Sequence, residues 1–109
     1  MAWEVKYYNN SVAEEIYNLP DRTVAKYQQI VERLSRFGPS EQRLPHFRHL
    51  TGKLWEIRAI AHDGSARIFY CLADQNCFII LHSFLKKSNA TPKKELEKAL
   101  KRLKEVQND

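Results

Sequence analysis

The chain has 109 residues, 43% hydrophobic and 28% charged, enough to bury the core of one domain and too few for two. No Gly/Ser/Pro-rich linker, signal peptide, transmembrane run or lipidation motif is read in it, and its two cysteines make no disulfide framework, so a single compact unit in a reducing cytoplasm is expected. The net charge is +5. Residues 53–109 carry 11 basic against 7 acidic residues and residues 1–52 carry 7 against 6, which points to polyanions or acidic proteins as partners.

Ala2 to Tyr8 alternates apolar and charged positions over a short span and predicts a first strand at a sheet edge. Asn9-Asn10-Ser11 supplies N-cap candidates for a helix through Tyr17, with Val12, Ile16 and Leu19 on one stripe, and Pro20 ends it. A second helix is predicted from about Asp21 to Arg36. There Val24, Tyr27, Ile30, Val31 and Leu34 recur at helical spacing, and Gly38-Pro39 stops the run. Residues 37 to 52 hold two prolines and two glycines and predict a connecting loop with a short strand at Phe47 to Leu50. His46 and His49 in that loop are spaced as a metal pair would be only on a helix, which Pro45 and Gly52 oppose, and no metal site is expected.

The stretch from Lys53 to Pro92 organises the rest. Three apolar runs rich in β-branched and aromatic residues are broken at Asp63-Gly64 and Gln75-Asn76, which predicts a three-stranded antiparallel meander. Asp-Gly suits a type I′ turn, whose central residues need positive φ. With Asp63-Gly64 as that turn, positions summing to 127 pair, setting Arg58 against Phe69 and Ile60 against Arg67. Trp55, Ile57, Ile68, Tyr70, Leu72, Ile79 and Leu81 then fall on a face for helices to cover, and Arg58, Arg67, His82, Phe84 and Lys86 on an open one. Cys71 and Cys77 are expected to be apolar strand residues. Thr91 as N-cap and Pro92 at the first position open a last helix to about Gln107, with Leu96, Ala99, Leu100, Leu103 and Val106 on one side and a lysine stripe on the other. The expected fold is α+β in the order β-α-α-β-β-β-α, with helices on one face of a small sheet.

The open face admits two readings. Glu56, two residues from Arg58 on the same face, is a ready ion-pair partner that would make the arginine structural. Three basic groups and a histidine gathered beside Phe69 and Phe84, however, repel one another unless an anion offsets them.

LWEIR, the strand beginning at Arg67-Ile-Phe-Tyr, and HSFLKKSNATPKKELEKALKRL carry a resemblance to the HigB-type, phage-related branch of the RelE toxin superfamily. The similarity covers roughly residues 50 to 104, and the predicted order of elements fits a RelE-like fold. The resemblance implies the toxin of a type II toxin–antitoxin pair: a ribosome-dependent endoribonuclease that cleaves messenger RNA without metal or cofactor and is neutralised by a helix-turn-helix, HigA-like antitoxin. Such a reaction needs a base for the 2′-OH, cations for the phosphate and an acid for the 5′-oxygen. Arg58, Arg67, Lys86 and Lys87 match the family's basic positions. Arg67 is the expected phosphate clamp, because its planar fork can grip two oxygens. Lys86 and Arg58 are the expected charge stabilisers and His82 or Tyr70 the proton-transfer candidates, with Tyr70 facing the core. Lys87, Lys53, Arg48 and Lys94 are expected RNA contacts. A non-enzymatic RNA- or protein-binding module on the same fold would use the same face.

Overall fold

The computed structural model describes residues 3–73, 76–86 and 92–107. Strand β1 (Glu4–Tyr7) leads into helix α1 (Asn10–Tyr17), where the Asn9 side chain caps the helix by accepting the Val12 N–H at 2.9 Å. Helix α2 (Asp21–Phe37) follows, and a short 3-10 helix, Gly38–Arg43, occupies part of what the sequence suggested was loop. Then come β2 (Phe47–Thr51), β3 (Leu54–Ala61), β4 (Gly64–Ala73), β5 (Cys77–Leu85) and helix α3 (Lys93–Gln107). The strands form one mixed sheet in the order β1-β5-β4-β3-β2, with β1 parallel to β5 and the remaining pairs antiparallel. The fold is thus α+β as expected, with one strand more than the predicted order and β1 at an edge.

The first hairpin forms with a different register. Ala61 pairs with Gly64, so His62-Asp63 makes the turn, and none of these residues has positive φ. The cause is helix α2. Its N-cap is Pro20, which offers no capping side chain, and Asp63 supplies one from across the fold. The Asp63 carboxylate accepts the backbone N–H of Arg22 at 2.7 Å, that of Thr23 at 3.0 Å and the Thr23 hydroxyl at 2.9 Å. Gly64 then lies against Thr23, Leu85 and Pro20, where an added Cβ would come within 3.0 Å of the Thr23 hydroxyl. The slip is by two positions in the pairing sum, so facing is preserved while Arg58 comes directly opposite Arg67.

The second hairpin departs further. Ala73 pairs with Cys77, and Asn76 takes the left-handed region at φ 57; Gln75 of the expected turn lies outside the described residues. A bulge then leaves Leu81 between Ile80, which pairs with Tyr70, and His82, which pairs with Phe69. The extra residue inverts the facing of one half of β5. Phe78 and Ile80, not Ile79 and Leu81, join Val12, Ile16, Tyr27, Ile30, Leu34, Ile57, Ile68 and Tyr70 in the core beneath α1 and α2, and Trp55 packs at its margin. Leu72 is left exposed.

Ile79 and Leu81 instead face α3, which does not share a side with the other helices. Leu54, Phe69, Cys71 and Leu81 meet Ala99 and Leu103 in a second core, with Leu96, Leu100 and Val106 packed against it. The helix carries the predicted apolar stripe, and the Pro92 carbonyl accepts its first backbone bonds, from Glu95 and Leu96; Thr91 lies outside the described residues. No helix among the described residues is long and apolar enough to cross a membrane.

Candidate cationic site

Two rows of side chains cross the α3 side of the sheet, toward the His62-Asp63 end. In one, Arg48 on β2 stands opposite Glu56 on β3, Glu56 opposite Phe69 on β4, and Phe69 opposite His82 on β5. In the next, Arg58 faces Arg67, and Arg67 faces Phe84. Lys86 follows the end of β5, anchored by its backbone N–H on the Ser65 carbonyl at 2.6 Å. The bulge at Leu81 restores His82 and Phe84 to this side. Arg48, Arg58, Arg67 and Lys86 are thereby brought together from four neighbouring strands.

Exposure falls toward the centre. Arg48 is exposed and Arg58 and Lys86 are half-buried, whereas Arg67 retains 5% of its surface and Glu56 1%. The expectation of an open, solvated Arg67 is therefore corrected: the guanidinium lies within the packed rows. Burial pulls its affinity for the proton below the ordinary value, Glu56 works against that shift, and Arg58 and Arg48 add to it. Lys86 is also lowered, first by desolvation and then by Arg67, with Glu56 opposing and Arg58 and Arg48 reinforcing. One of the two readings of the sequence paired Glu56 with Arg58. Yet none of the ion pairs formed by the described residues includes Glu56, Arg48, Arg58, Arg67 or Lys86. Glu56 Oε2 and Arg67 Nη1 are buried without a hydrogen-bond partner among the described residues.

His82 keeps 4% of its surface. Its ring stacks on Phe69, with centroids 6.2 Å apart and planes 11° apart, and its Nε2 meets Glu95 Oε1 of α3 at 2.9 Å. That contact ties the helix to the sheet and occupies one of the two nitrogens a proton shuttle would use. Tyr70 faces the other core, as expected, where its hydroxyl accepts from Gln42 Nε2 at 2.6 Å. Lys94 is exposed beside Glu95 in the first turn of α3. Lys53, in the β2–β3 turn, is five residues from Arg58, about 17 Å of extended chain, and borders a separate hollow with Cys71, Leu72 and Val106. It is not brought into the cluster. Lys87 lies outside the described residues. Sequence reasoning missed Glu95 and the central place of Glu56. The signal for Glu56 was its position two residues before Arg58, which was read as a pairwise contact alone.

A small α+β domain with a mixed sheet and a cationic row across one face is the class defined by this architecture. The model of the phage-derived Gp49-like protein family (DUF891) matches residues 14–104, and the chain belongs to that family. The family is RelE/toxin-like. Comparison with curated proteins found no match.

Proposed function

We propose that the chain is a HigB-type toxin of a type II toxin–antitoxin pair, a ribosome-dependent endoribonuclease acting on translated message, with a helix-turn-helix antitoxin as its partner. The observation that carries this reading is the gathering of Arg58, Arg67 and Lys86 across three adjacent strands in a chain of a toxin-like family. Attack by the ribose 2′-oxygen, its proton passing to solvent water, forms a bond to the adjacent phosphorus as the bond from phosphorus to the 5′-oxygen breaks; negative charge concentrates on the phosphate, and cations fixed in a partly desolvated sheet stabilise it without reorganising. In this scheme Arg67 holds two phosphate oxygens and Arg58 adds charge. Lys86, whose proton is loosened first by desolvation and then by its cationic neighbours, protonates the departing 5′-oxygen. His82, engaged by Glu95, fixes the platform of Phe69 and Phe84 and is not assigned the proton transfer.

The burial of Arg67 favours a second reading, a non-enzymatic RNA- or protein-binding module in which the arginine is structural. Induction of the chain without a partner distinguishes them. The toxin arrests growth and leaves new 5′ ends within translated transcripts, and it does so on purified ribosomes programmed with message. The module binds ribosomes or RNA and leaves transcripts intact, and that outcome would remove the enzymatic reading.

A further inference from the structure

Glu56 is the most deeply buried charged group of the cationic rows, at 1% exposure. A carboxylate taken out of water costs free energy unless it is paired or hydrogen-bonded. Here neither compensation is complete: Oε2 has no partner among the described residues, and none of their ion pairs includes Glu56. The sheet nevertheless surrounds it with cations. Arg48 is directly opposite on β2, Arg58 is two residues on along the same face, and Arg67 is the diagonal neighbour on β4. Arg58 and Arg67, like charges directly opposed, would by themselves push apart. Glu56 thus stands beside three arginines and closes an ion pair with none of them among the described residues.

We propose that Glu56 is a positioning residue of the cationic site, a shared buried counter-charge that holds Arg58 and Arg67 together beside Lys86 so that they act on one phosphodiester. The inference rests on the endoribonuclease reading for its purpose, and on geometry for the coupling itself. Lys86 follows one row beyond Arg58 and Arg67, and the charges that act on it through space are Arg67 from β4, Glu56 and Arg58 from β3, and Arg48 from β2. From α3, Glu95 is already committed to His82. Among the described residues Glu56 is the carboxylate whose charge opposes the lowering of Lys86, and neutralising it leaves Lys86 among cations. The ammonium then releases its proton at lower pH, and the arginines spread.

The test compares the parent with Glu56→Gln, which keeps shape and removes charge, and Glu56→Asp, which keeps charge. The Lys86 side chain is titrated by NMR through its Cε resonance, with Lys86→Arg for assignment. The Lys86 midpoint is expected to move to lower pH in Glu56→Gln and to return toward the parent in Glu56→Asp. An unmoved midpoint overturns the proposal, whether or not the protein cuts RNA. On ribosomes, Glu56→Gln is expected to lower kcat by about 10²-fold, the lower end of what a positioned proton donor contributes, with KM little changed. The alkaline limb of its pH–rate profile should shift in the same direction as the NMR midpoint. A rise in KM alone, or equal loss in Glu56→Gln and Glu56→Asp without a shifted limb, overturns the positioning role. A shifted midpoint in a parent that leaves message intact instead upholds the charge coupling and refutes the endoribonuclease reading. Should Glu56→Gln fail to fold, Glu56→Leu, which removes the charge and fills the buried space with apolar atoms, decides: a Lys86 midpoint at the parent value there would overturn the proposal.

Discussion

Replacing Arg67 by alanine separates its structural from its chemical role, because the residue is both buried and central. Its stem contributes three methylenes to the packed rows opposite Phe84, and at about 0.8 kcal/mol per buried methylene their loss costs about 2.4 kcal/mol. Relief of the repulsion with Arg58 offsets part of this, while loss of attraction to Glu56 adds to it, leaving a net destabilisation of about 1–2 kcal/mol. For a domain near this size a kilocalorie moves Tm by about 4–8 °C, so Arg67→Ala should melt roughly 5–15 °C below the parent. Arg67→Lys keeps most of the stem and the charge but loses the planar fork, and should melt close to the parent. Both should lose about 10²–10³ in the rate of message cleavage on programmed ribosomes, as expected for removal of one fixed charge stabiliser. Differential scanning calorimetry and a 5′-end mapping assay on the same preparations give the two numbers. Full cleavage by Arg67→Lys would refute the clamp, and an unchanged Tm for Arg67→Ala would refute the packing argument.

Asp63 tests the cap on α2 through pH. Burial raises the affinity of its carboxyl for a proton, but the hydrogen bonds from Arg22 and Thr23 outweigh this and hold it below the ordinary value. A lowered folded pKa stabilises the protein above the unfolded value of about 3.9 and is lost as pH falls through the folded one. Asp63→Asn should therefore lower Tm at neutral pH and flatten its dependence in the acid range, and an unchanged acid profile would show that the cap carries no stability. Gly38→Ala should destabilise by about 1–3 kcal/mol in a urea melt, because Gly38 has φ 74 and an added Cβ would sit 2.5 Å from Trp3 Nε1; wild-type stability would contradict that crowding. Cys71 is pushed up to about 11 by burial, and Cys77 is buried and also raised by burial. A thiol-reactive chromophore at pH 8 should thus label the native protein slowly and the urea-unfolded protein rapidly, and equal rates would show that the β4–β5 end opens freely.

Much of the architecture is local and could be read from the chain. The Asn9 cap, the apolar stripes of α2 and α3 and the alternation along β3 and β4 each depend on neighbours within a few residues. Side-chain period alone places Arg58 and Arg67 on the same face, and a slip of two pairing positions leaves that intact. What could not be read there depended on partners distant in sequence. Asp63 looked like half of a type I′ turn, and it became the cap of a helix beginning more than forty residues earlier because Pro20 left that end uncapped. The bulge at Leu81 inverted half of β5 because both faces of the sheet are covered, one by α1 and α2 and the other by α3, so an apolar strand could satisfy either side. Arg67 and Glu56 appeared as residues of a solvated face, since alternation assigns sides without saying what covers them. Their burial, and with it the coupling of one carboxylate to the surrounding cations, exists only once β2, β3, β4 and the end of β5 lie side by side, because charge and desolvation act through space.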